Sequence, residues 1–128
     1  MSNTAEKLSQ LHNYPHINEN NFIKLQKSTA AKPELLKEIF QSYIDETREL
    51  ISEIKTGIQK DNNELYYSAV HSLKGLSATI GCSRMFQLLR IMDSLNKEDH
   101  YSESQSCYHH LEATFAETES VIKEKVLS

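Results

Sequence analysis

Apolar residues recur at three- and four-residue steps along most of this chain, and this spacing constrains the fold more than any other feature. The clearest run extends from Leu36 to Ile58, and later segments repeat it. Residues at that spacing lie on one face of an α-helix, whereas a half-buried strand needs strict alternation, which we do not find. Only two prolines interrupt the 128 residues. The sequence therefore predicts an all-α chain.

The helix boundaries follow from turn and capping residues between the apolar runs. Five helices are predicted: one at about 19–28, one from Pro33 to about Lys60, one from a capping box of Asp61 and Glu64 to about Gly81, one capped by Ser83, and one after Ser102 and Gln105. Long amphipathic helices with short links favour an up-and-down antiparallel four-helix bundle with a short additional N-terminal helix. We expect residues 20–128 to form this bundle domain and the polar residues 1–19 to form a loose tail.

Charge and composition exclude several kinds of partner. The formal net charge is −4 and the sequence pI is about 5.8, which argues against a nucleic-acid or membrane-surface partner. No apolar run is long enough to span a bilayer, and the first residues lack the pattern of a secretory signal. Two cysteines, Cys82 and Cys107, do not make a disulfide scaffold. We therefore expect a cytoplasmic protein.

The third predicted helix has two distinct faces. Its apolar stripe consists of Tyr66, Val70, Leu73, Ser77 and Ile80. On the other side, His71 and Lys74 share a strip with Gly75 and Ala78. A glycine inside a helix costs roughly 1 kcal/mol against alanine, and on an exposed face that cost has no return in packing. We interpret Gly75 as a residue that lets something bulky approach His71 closely.

His71 and Lys74 together suggest phosphoryl chemistry. Lys74 lies one turn from His71 and can offset the charge of an anion that the imidazole acquires. A nucleophilic histidine beside a lysine suits a phosphohistidine intermediate. The sequence contains no G-x-x-x-x-G-K-[ST] loop. We therefore expect a phosphoryl carrier without an ATP site or kinase activity of its own.

The stretch H-S-L-K-G-L-S-A-T-I-G, which begins at His71, resembles the signature of histidine phosphotransfer domains, roughly H-x-[LIF]-K-G-[SAG]-[SA]-x-x-[LIF]-G. Two residues depart from the family pattern: Leu76 stands where a small residue is usual, and Val70 replaces the usual alanine before the histidine. The helical layout from about residue 20 onward is also similar to that family.

The resemblance implies a role for each matched residue. His71 would accept the phosphoryl group, Lys74 would stabilise the phosphate, and Gly75 would leave room for the partner. Some members have a Gln or Glu about twenty-two residues after the histidine that orients its ring, and Asp93 stands at that position here. Arg90 and Lys97 lie one turn either side of Asp93 and are interpreted as surface charges that can add positive potential.

The resemblance also implies the partners. These are response-regulator receiver domains and a hybrid sensor histidine kinase, with the Mg²⁺ ion held by the receiver and no cofactor on this chain. Phe22, Ile23, Leu36 and Ala78 are the expected docking residues.

Two alternatives stay open. One is a non-transferring adaptor that binds receiver domains, although such a protein need not keep both His71 and Lys74. The other is a sensor-kinase dimerisation domain, which usually shows H-E-x-x-x-P-L, whereas Ser72 follows His71 here. Oligomeric state discriminates between the phosphoryl carrier and the kinase-like domain, since a carrier is expected to be a monomer and a kinase-like domain a symmetric dimer.

Overall fold

The computed structural model describes residues 3–128; Met1 and Ser2, which begin the predicted tail, lie outside the described residues. The α-helices are α1 (Thr4–Ser9), α2 (Glu19–Ser28), α3 (Glu34–Gln59), α4 (Asn63–Ile80), α5 (Ser83–Lys97), α6 (Tyr101–Gln105) and α7 (Tyr108–Ile122). A 3₁₀ turn covers Leu11–Asn13, and a π-helical turn covers Lys123–Leu127. Residues 3–128 contain no strand, so the predicted all-α class is confirmed.

Four long helices enclose the core. Helix α3 packs against α4, α4 packs against α5, α5 packs against α7, and α7 with the π-helical turn returns to α3. Their inward faces carry the largest fully buried side chains, among them Phe40, Ile44, Ile54, Tyr66, Leu73, Met85, Leu88 and Leu111. This shared core holds α4 between α3 and α5, with its remaining face open to solvent.

The ends of α4 are set by two local devices. At its start the Asn62 side chain accepts a hydrogen bond from the Leu65 backbone N–H at 3.0 Å. Asp61 adopts a left-handed backbone with φ of 51°, so the prediction that Asp61 is the cap is wrong by one residue. At its end Gly81 has φ of 85°, which glycine adopts without a Cβ penalty. The predicted stop near Gly81 is confirmed.

Two predictions for the C-terminal half need correction. Ser83 is the first residue of α5 rather than its cap, and the preceding Cys82 makes no side-chain capping bond. The predicted single fifth helix is divided into α6 and α7 by a turn at Ser106 and Cys107. The buried hydroxyl of Ser104 binds both the Tyr66 hydroxyl and the Met92 carbonyl, which anchors the short α6 to α4 and α5.

The N-terminal residues pack on the bundle instead of forming a loose tail, so that expectation is wrong for residues 3–19. Leu11 and Ile17 are each only 7% exposed and belong to the core. The Asn18 backbone N–H donates to the Gly81 carbonyl at 2.8 Å. These contacts fix the start of α2 beside the C-terminal end of α4, because Asn18 also caps α2.

Candidate functional site

Helix α4 presents the two faces that its sequence predicts. The apolar stripe is buried throughout: Tyr66, Val70, Leu73, Ser77 and Ile80. His71, Gly75 and Ala78 are exposed on the opposite face, and Lys74 is half-buried beside them. The His71 side chain keeps 55% of its surface accessible. The structure therefore places this histidine on the surface of the bundle rather than in its core.

Asp93 of α5 lies under this strip and gathers three basic side chains on one oxygen. Its side chain is 1% exposed. Its Oδ2 atom lies 2.5 Å from Lys74 Nζ, 3.3 Å from Lys97 Nζ and 3.5 Å from His71 Nδ1. Lys74 and Asp93 are also joined by a hydrogen bond in which the ammonium donates. The structure thus brings His71, Lys74 and Asp93 together, as their resemblance to the signature of histidine phosphotransfer domains implies.

The other carboxylate oxygen of Asp93 is different. Its Oδ1 atom is buried and has no hydrogen-bond partner among residues 3–128. A buried carboxylate oxygen without a donor costs free energy. The oxygen therefore remains able to accept a hydrogen bond.

Opposing effects set the ionisation of Asp93. Burial alone raises the pKa of this carboxyl group, but the hydrogen bonds and positive charges of Lys74 and Lys97 outweigh it, so that the pKa lies below its ordinary value. Asp93 is therefore a carboxylate at neutral pH. A negative charge is held permanently beneath the exposed histidine.

The position of Asp93 distinguishes the two nitrogens of His71. Nδ1 faces the carboxylate at 3.5 Å, which is longer than a direct hydrogen bond but close enough for the charge to favour a proton on that nitrogen. Among residues 3–128, Nε2 has no hydrogen-bond or ion-pair partner. Nε2 is therefore the nitrogen whose lone pair is available to a reagent from solution.

Gly75 keeps the surface beside His71 open. A Cβ atom placed on Gly75 would have no atom within 4 Å outside its own helical turn. Packing inside this chain therefore does not require a glycine at the position. The open space leaves room for close approach by a second molecule, which stays a prediction from the cost of glycine to the helix.

Two neighbours of His71 are less evident from the sequence. Tyr67, one turn before His71, lies with its ring nearly parallel to the imidazole, at 6° between planes and 6.0 Å between centroids. In the sequence, only the four-residue spacing between Tyr67 and His71 indicates that their side chains are neighbours. Lys97 pairs with Asp93, whereas Arg90 is exposed and has no ion pair within residues 3–128. Because Arg90 and Lys97 lie about one turn either side of Asp93 in the sequence, their positions alone do not indicate which of them pairs with it.

The expected docking residues are only partly accessible. Phe22 is 4% exposed and packs against Phe40 at 6.0 Å between ring centroids, so its assignment to a docking surface is wrong. Ile23 is 38% exposed, Leu36 is half-buried and Ala78 is exposed. Helix α2 turns Phe22 into the core because that side of the helix faces α3.

One of the comparisons with known proteins identifies a family. The sequence model of the Hpt domain matches residues 38–121, about two thirds of the chain, including His71, Lys74, Gly75 and Asp93. Neither the curated proteins nor the solved structures include a match. Within residues 3–128, every helix is too short or too polar to cross a membrane. Because the Hpt domain model matches well over half of the sequence, the chain belongs to the Hpt domain family, whose members carry phosphoryl groups on histidine in phosphorelays.

Proposed function

We propose that this chain accepts a phosphoryl group on His71 from the aspartate of one receiver domain and passes it to the aspartate of another. The upstream partner is a hybrid sensor histidine kinase and the downstream partner a response regulator. The observation that carries the proposal is the environment of His71: Nδ1 faces the buried Asp93 carboxylate, and Nε2 is open on a strip where Gly75 leaves free space. This site lies within the region that matches the Hpt domain.

The transfer step is a nucleophilic displacement at phosphorus. The lone pair of His71 Nε2 attacks the phosphorus of the receiver's aspartyl phosphate, and an N–P bond forms. The bond from phosphorus to the aspartate oxygen breaks, and its electron pair stays on the receiver's carboxylate. The proton remains on Nδ1, so the phosphorylated ring is positively charged. The carboxylate of Asp93, 3.5 Å from Nδ1, stabilises that charge.

Lys74 interacts with the phosphoryl group itself, whereas Asp93 interacts with the ring that carries it. In the unphosphorylated protein its ammonium is bound to Asp93. A phosphoryl group on Nε2 competes with that carboxylate for the ammonium, because both are anions within reach of Lys74: Asp93 contacts it from α5, and His71 lies one turn before it on α4. Lys97 and the newly charged imidazole then remain as counter-ions of Asp93. This exchange lets Lys74 approach the phosphate without leaving a buried charge unpaired.

The Mg²⁺ ion required for transfer is proposed to sit on the receiver domain. Mg²⁺ prefers a cluster of carboxylate and carbonyl oxygens. Residues 3–128 bring no three metal-ligating side chains together, and the single acid near His71 is already bound to lysines. This chain would therefore contribute the histidine and its surroundings, and the receiver would contribute the metal and the acidic cluster.

We further propose that the working form is a monomeric up-and-down four-helix bundle. Helices α3, α4, α5 and α7 of one chain share one core, so a second chain is not needed to complete it. A sensor-kinase dimerisation domain would instead build its bundle from two chains. Measurement of the mass in solution separates these cases, since a stable symmetric dimer would contradict the proposal.

The decisive experiment uses a small phosphoryl donor. Wild type, His71→Gln and His109→Gln are incubated with phosphoramidate, and intact mass is recorded before and after acid treatment. His109 is a matched control because it is an exposed histidine on α7. We expect one acid-labile phosphoryl group on wild type and His109→Gln and none on His71→Gln. Absence of the group from wild type, or equal labelling of His71→Gln, would favour the adaptor function.

A second stage tests the relay. Labelled protein is mixed with purified receiver domains in the presence of Mg²⁺, and transfer to each receiver is followed over time. We expect rapid transfer to at least one receiver and no transfer when Mg²⁺ is chelated. Stable labelling with transfer to none of the receivers would limit the function to phosphoryl storage.

A further inference from the structure

The Tyr67 ring lies beside the imidazole of His71 on the exposed face of α4. The two residues are one helical turn apart, their planes differ by 6°, and their centroids are 6.0 Å apart. A nearly parallel pair at this separation is an offset stack, within the range in which aromatic rings attract one another. Tyr67 is half-buried, so its position is more restricted than that of the exposed histidine.

Tyr67 and Asp93 restrict the imidazole in different ways. A parallel stack fixes the plane of the ring, but it permits a half-turn that exchanges the two edges. The Asp93 carboxylate lies at one edge, 3.5 Å from Nδ1, and selects which edge points inward. Only the two contacts together leave Nε2 pointing in one direction. Asp93 alone would leave the ring plane free to rock.

The stack also matters for the charge of the product. Attack through Nε2 with the proton retained on Nδ1 leaves the phosphorylated ring positive. An aromatic face within about 6 Å of a cation attracts it through the ring quadrupole. The attraction is smaller for the neutral imidazole, so the contact favours the phosphorylated state. The Tyr67 side chain makes this contact through its ring, and its hydroxyl donates to no group within residues 3–128.

We propose that Tyr67 is a positioning residue for phosphoryl transfer, which holds the plane of the His71 imidazole and stabilises the phosphorylated ring. This inference rests on the proposed function, because it concerns the same histidine. It predicts that the aromatic ring is required and the hydroxyl is not. Tyr67→Phe should therefore keep the positioning role, whereas substitution by an aliphatic residue of similar length should lose it.

The test compares Tyr67→Leu, Tyr67→Phe and Tyr108→Leu with wild type after labelling by phosphoramidate. Tyr108 is a matched control because it is also a half-buried tyrosine near a helix surface, on α7. We expect Tyr67→Leu to shorten the lifetime of the phosphohistidine by about two- to fivefold, the range of an exposed cation–π contact. Tyr67→Phe and Tyr108→Leu should keep the wild-type lifetime.

A second readout separates positioning from a general loss of stability. The ¹⁵N chemical shifts of His71 in the unphosphorylated protein report which ring nitrogen carries the proton. We expect Tyr67→Leu to keep the tautomer, which Asp93 selects, but to increase the motion of the imidazole, measured by NMR relaxation of its carbon–proton groups. Tyr67→Phe should restore the restricted motion of wild type. Circular dichroism confirms that each variant is folded.

The outcomes distinguish this inference from the proposed function. A wild-type adduct together with unchanged lifetime and unchanged ring motion in Tyr67→Leu would overturn the role of Tyr67 alone. Failure of Tyr67→Phe to restore the lifetime would overturn the assignment to the aromatic ring. Absence of any adduct on wild type would overturn the proposed function and, with it, the role of Tyr67 in transfer.

Discussion

Lys74 Nζ lies 2.5 Å from Asp93 Oδ2, so the lysine one helical turn from His71 is bound to a buried carboxylate in the unmodified protein. The pair links α4 to α5 at the level of His71. It also holds a flexible ammonium in one place, which lowers the entropic cost of using it later. The same contact therefore contributes to the bundle and prepares the site for an anion.

Replacement of Asp93 by asparagine should destabilise the fold in a pH-dependent way. The pKa of Asp93 is lowered by its lysine partners despite burial. A carboxyl with a depressed pKa contributes stability above its unfolded pKa, ordinarily about 3.9, and loses the contribution as pH falls through the folded value. We expect Asp93→Asn to lower the free energy of unfolding by about 1–3 kcal/mol at pH 7, since both lysines retain access to water.

Urea unfolding of wild type and Asp93→Asn between neutral pH and about pH 2 measures this effect. The difference in free energy of unfolding between the two proteins should narrow below about pH 4, where the carboxylate of wild type becomes protonated. A difference that is constant across this range would show that Asp93 contributes through packing and not through its charge.

Lys97 and Arg90 make a matched pair for testing the counter-ion exchange. Lys97 Nζ lies 3.3 Å from Asp93 Oδ2, whereas Arg90 is exposed on the preceding turn without an ion pair in residues 3–128. Lys97→Met removes a charge that Asp93 needs when Lys74 turns to the phosphate. We expect transfer from a receiver to slow by about two- to fivefold, the range of an exposed ion pair, and Arg90→Met to leave it unchanged. Equal effects of both substitutions would indicate general attraction by positive charge.

Local patterns were enough to predict helices α2 to α5 and the two faces of α4, but not α1 or the division between α6 and α7. Helix α2 covers Glu19–Ser28, as the short apolar run indicated, and α3 ends one residue before the predicted Lys60. The exposed strip of His71 and Gly75 follows from helical spacing alone. These features depend on residues within a few turns of one another, which is why a sequence reveals them.

The contacts that complete the site depend on how helices are aligned, which local patterns do not specify. Arg90 and Lys97 each lie about one helical turn from Asp93 along the chain, and their spacing alone does not indicate that Lys97 is the one that reaches its carboxylate. In the N-terminal segment, Leu11 and Ile17 are too far apart to form a periodic stripe, yet both are buried. Their burial requires the groove that the bundle provides.

Two helical glycines should respond to alanine in opposite ways. A Cβ on Gly75 meets nothing within 4 Å, whereas a Cβ on Gly57 would lie 2.9 Å from the Tyr66 backbone nitrogen. We expect Gly75→Ala to raise the free energy of unfolding by up to about 1 kcal/mol. Gly57→Ala should lower it by about 1–3 kcal/mol, because α3 and α4 must separate. Thermal or urea unfolding of both variants checks the sign, and destabilisation by Gly75→Ala would contradict the open surface.

A larger side chain at Gly75 should discriminate between small and protein donors. Gly75→Gln leaves Nε2 of His71 accessible to phosphoramidate but obstructs a receiver domain. We expect labelling by phosphoramidate to persist and transfer from a receiver to fall by about tenfold or more, since overpacking costs roughly 1–3 kcal/mol. Loss of both activities would mean that glutamine covers the histidine itself, and retention of both would remove the clearance role of Gly75.

The N-terminal segment, residues 3–19, is held to the bundle by hydrogen bonds of His16, and these bonds should weaken in mild acid. His16 Nδ1 lies 2.7 Å from Thr118 Oγ1, and Arg84 Nη1 lies 2.9 Å from His16 Nε2. Since the guanidinium only donates, Nε2 must accept, and Nδ1 must carry the proton and donate to Thr118. Burial and then the charge of Arg84 lower the pKa of His16, although Glu117 opposes them. The folded state therefore favours the neutral ring.

A histidine with a lowered pKa binds protons more readily in the unfolded chain, so its contribution to stability is full above its ordinary pKa of 6.5 and declines as pH falls below it. We expect wild type to lose more stability than His16→Gln between about pH 7.5 and pH 5. His12→Gln, at an exposed histidine of the same segment, should behave as wild type. The protection factor of the Asn18 N–H, which donates to Gly81, should fall over the same range in wild type after correction for the intrinsic slowing of amide exchange in acid. Identical pH profiles for wild type and His16→Gln would show that the segment is held independently of this ring.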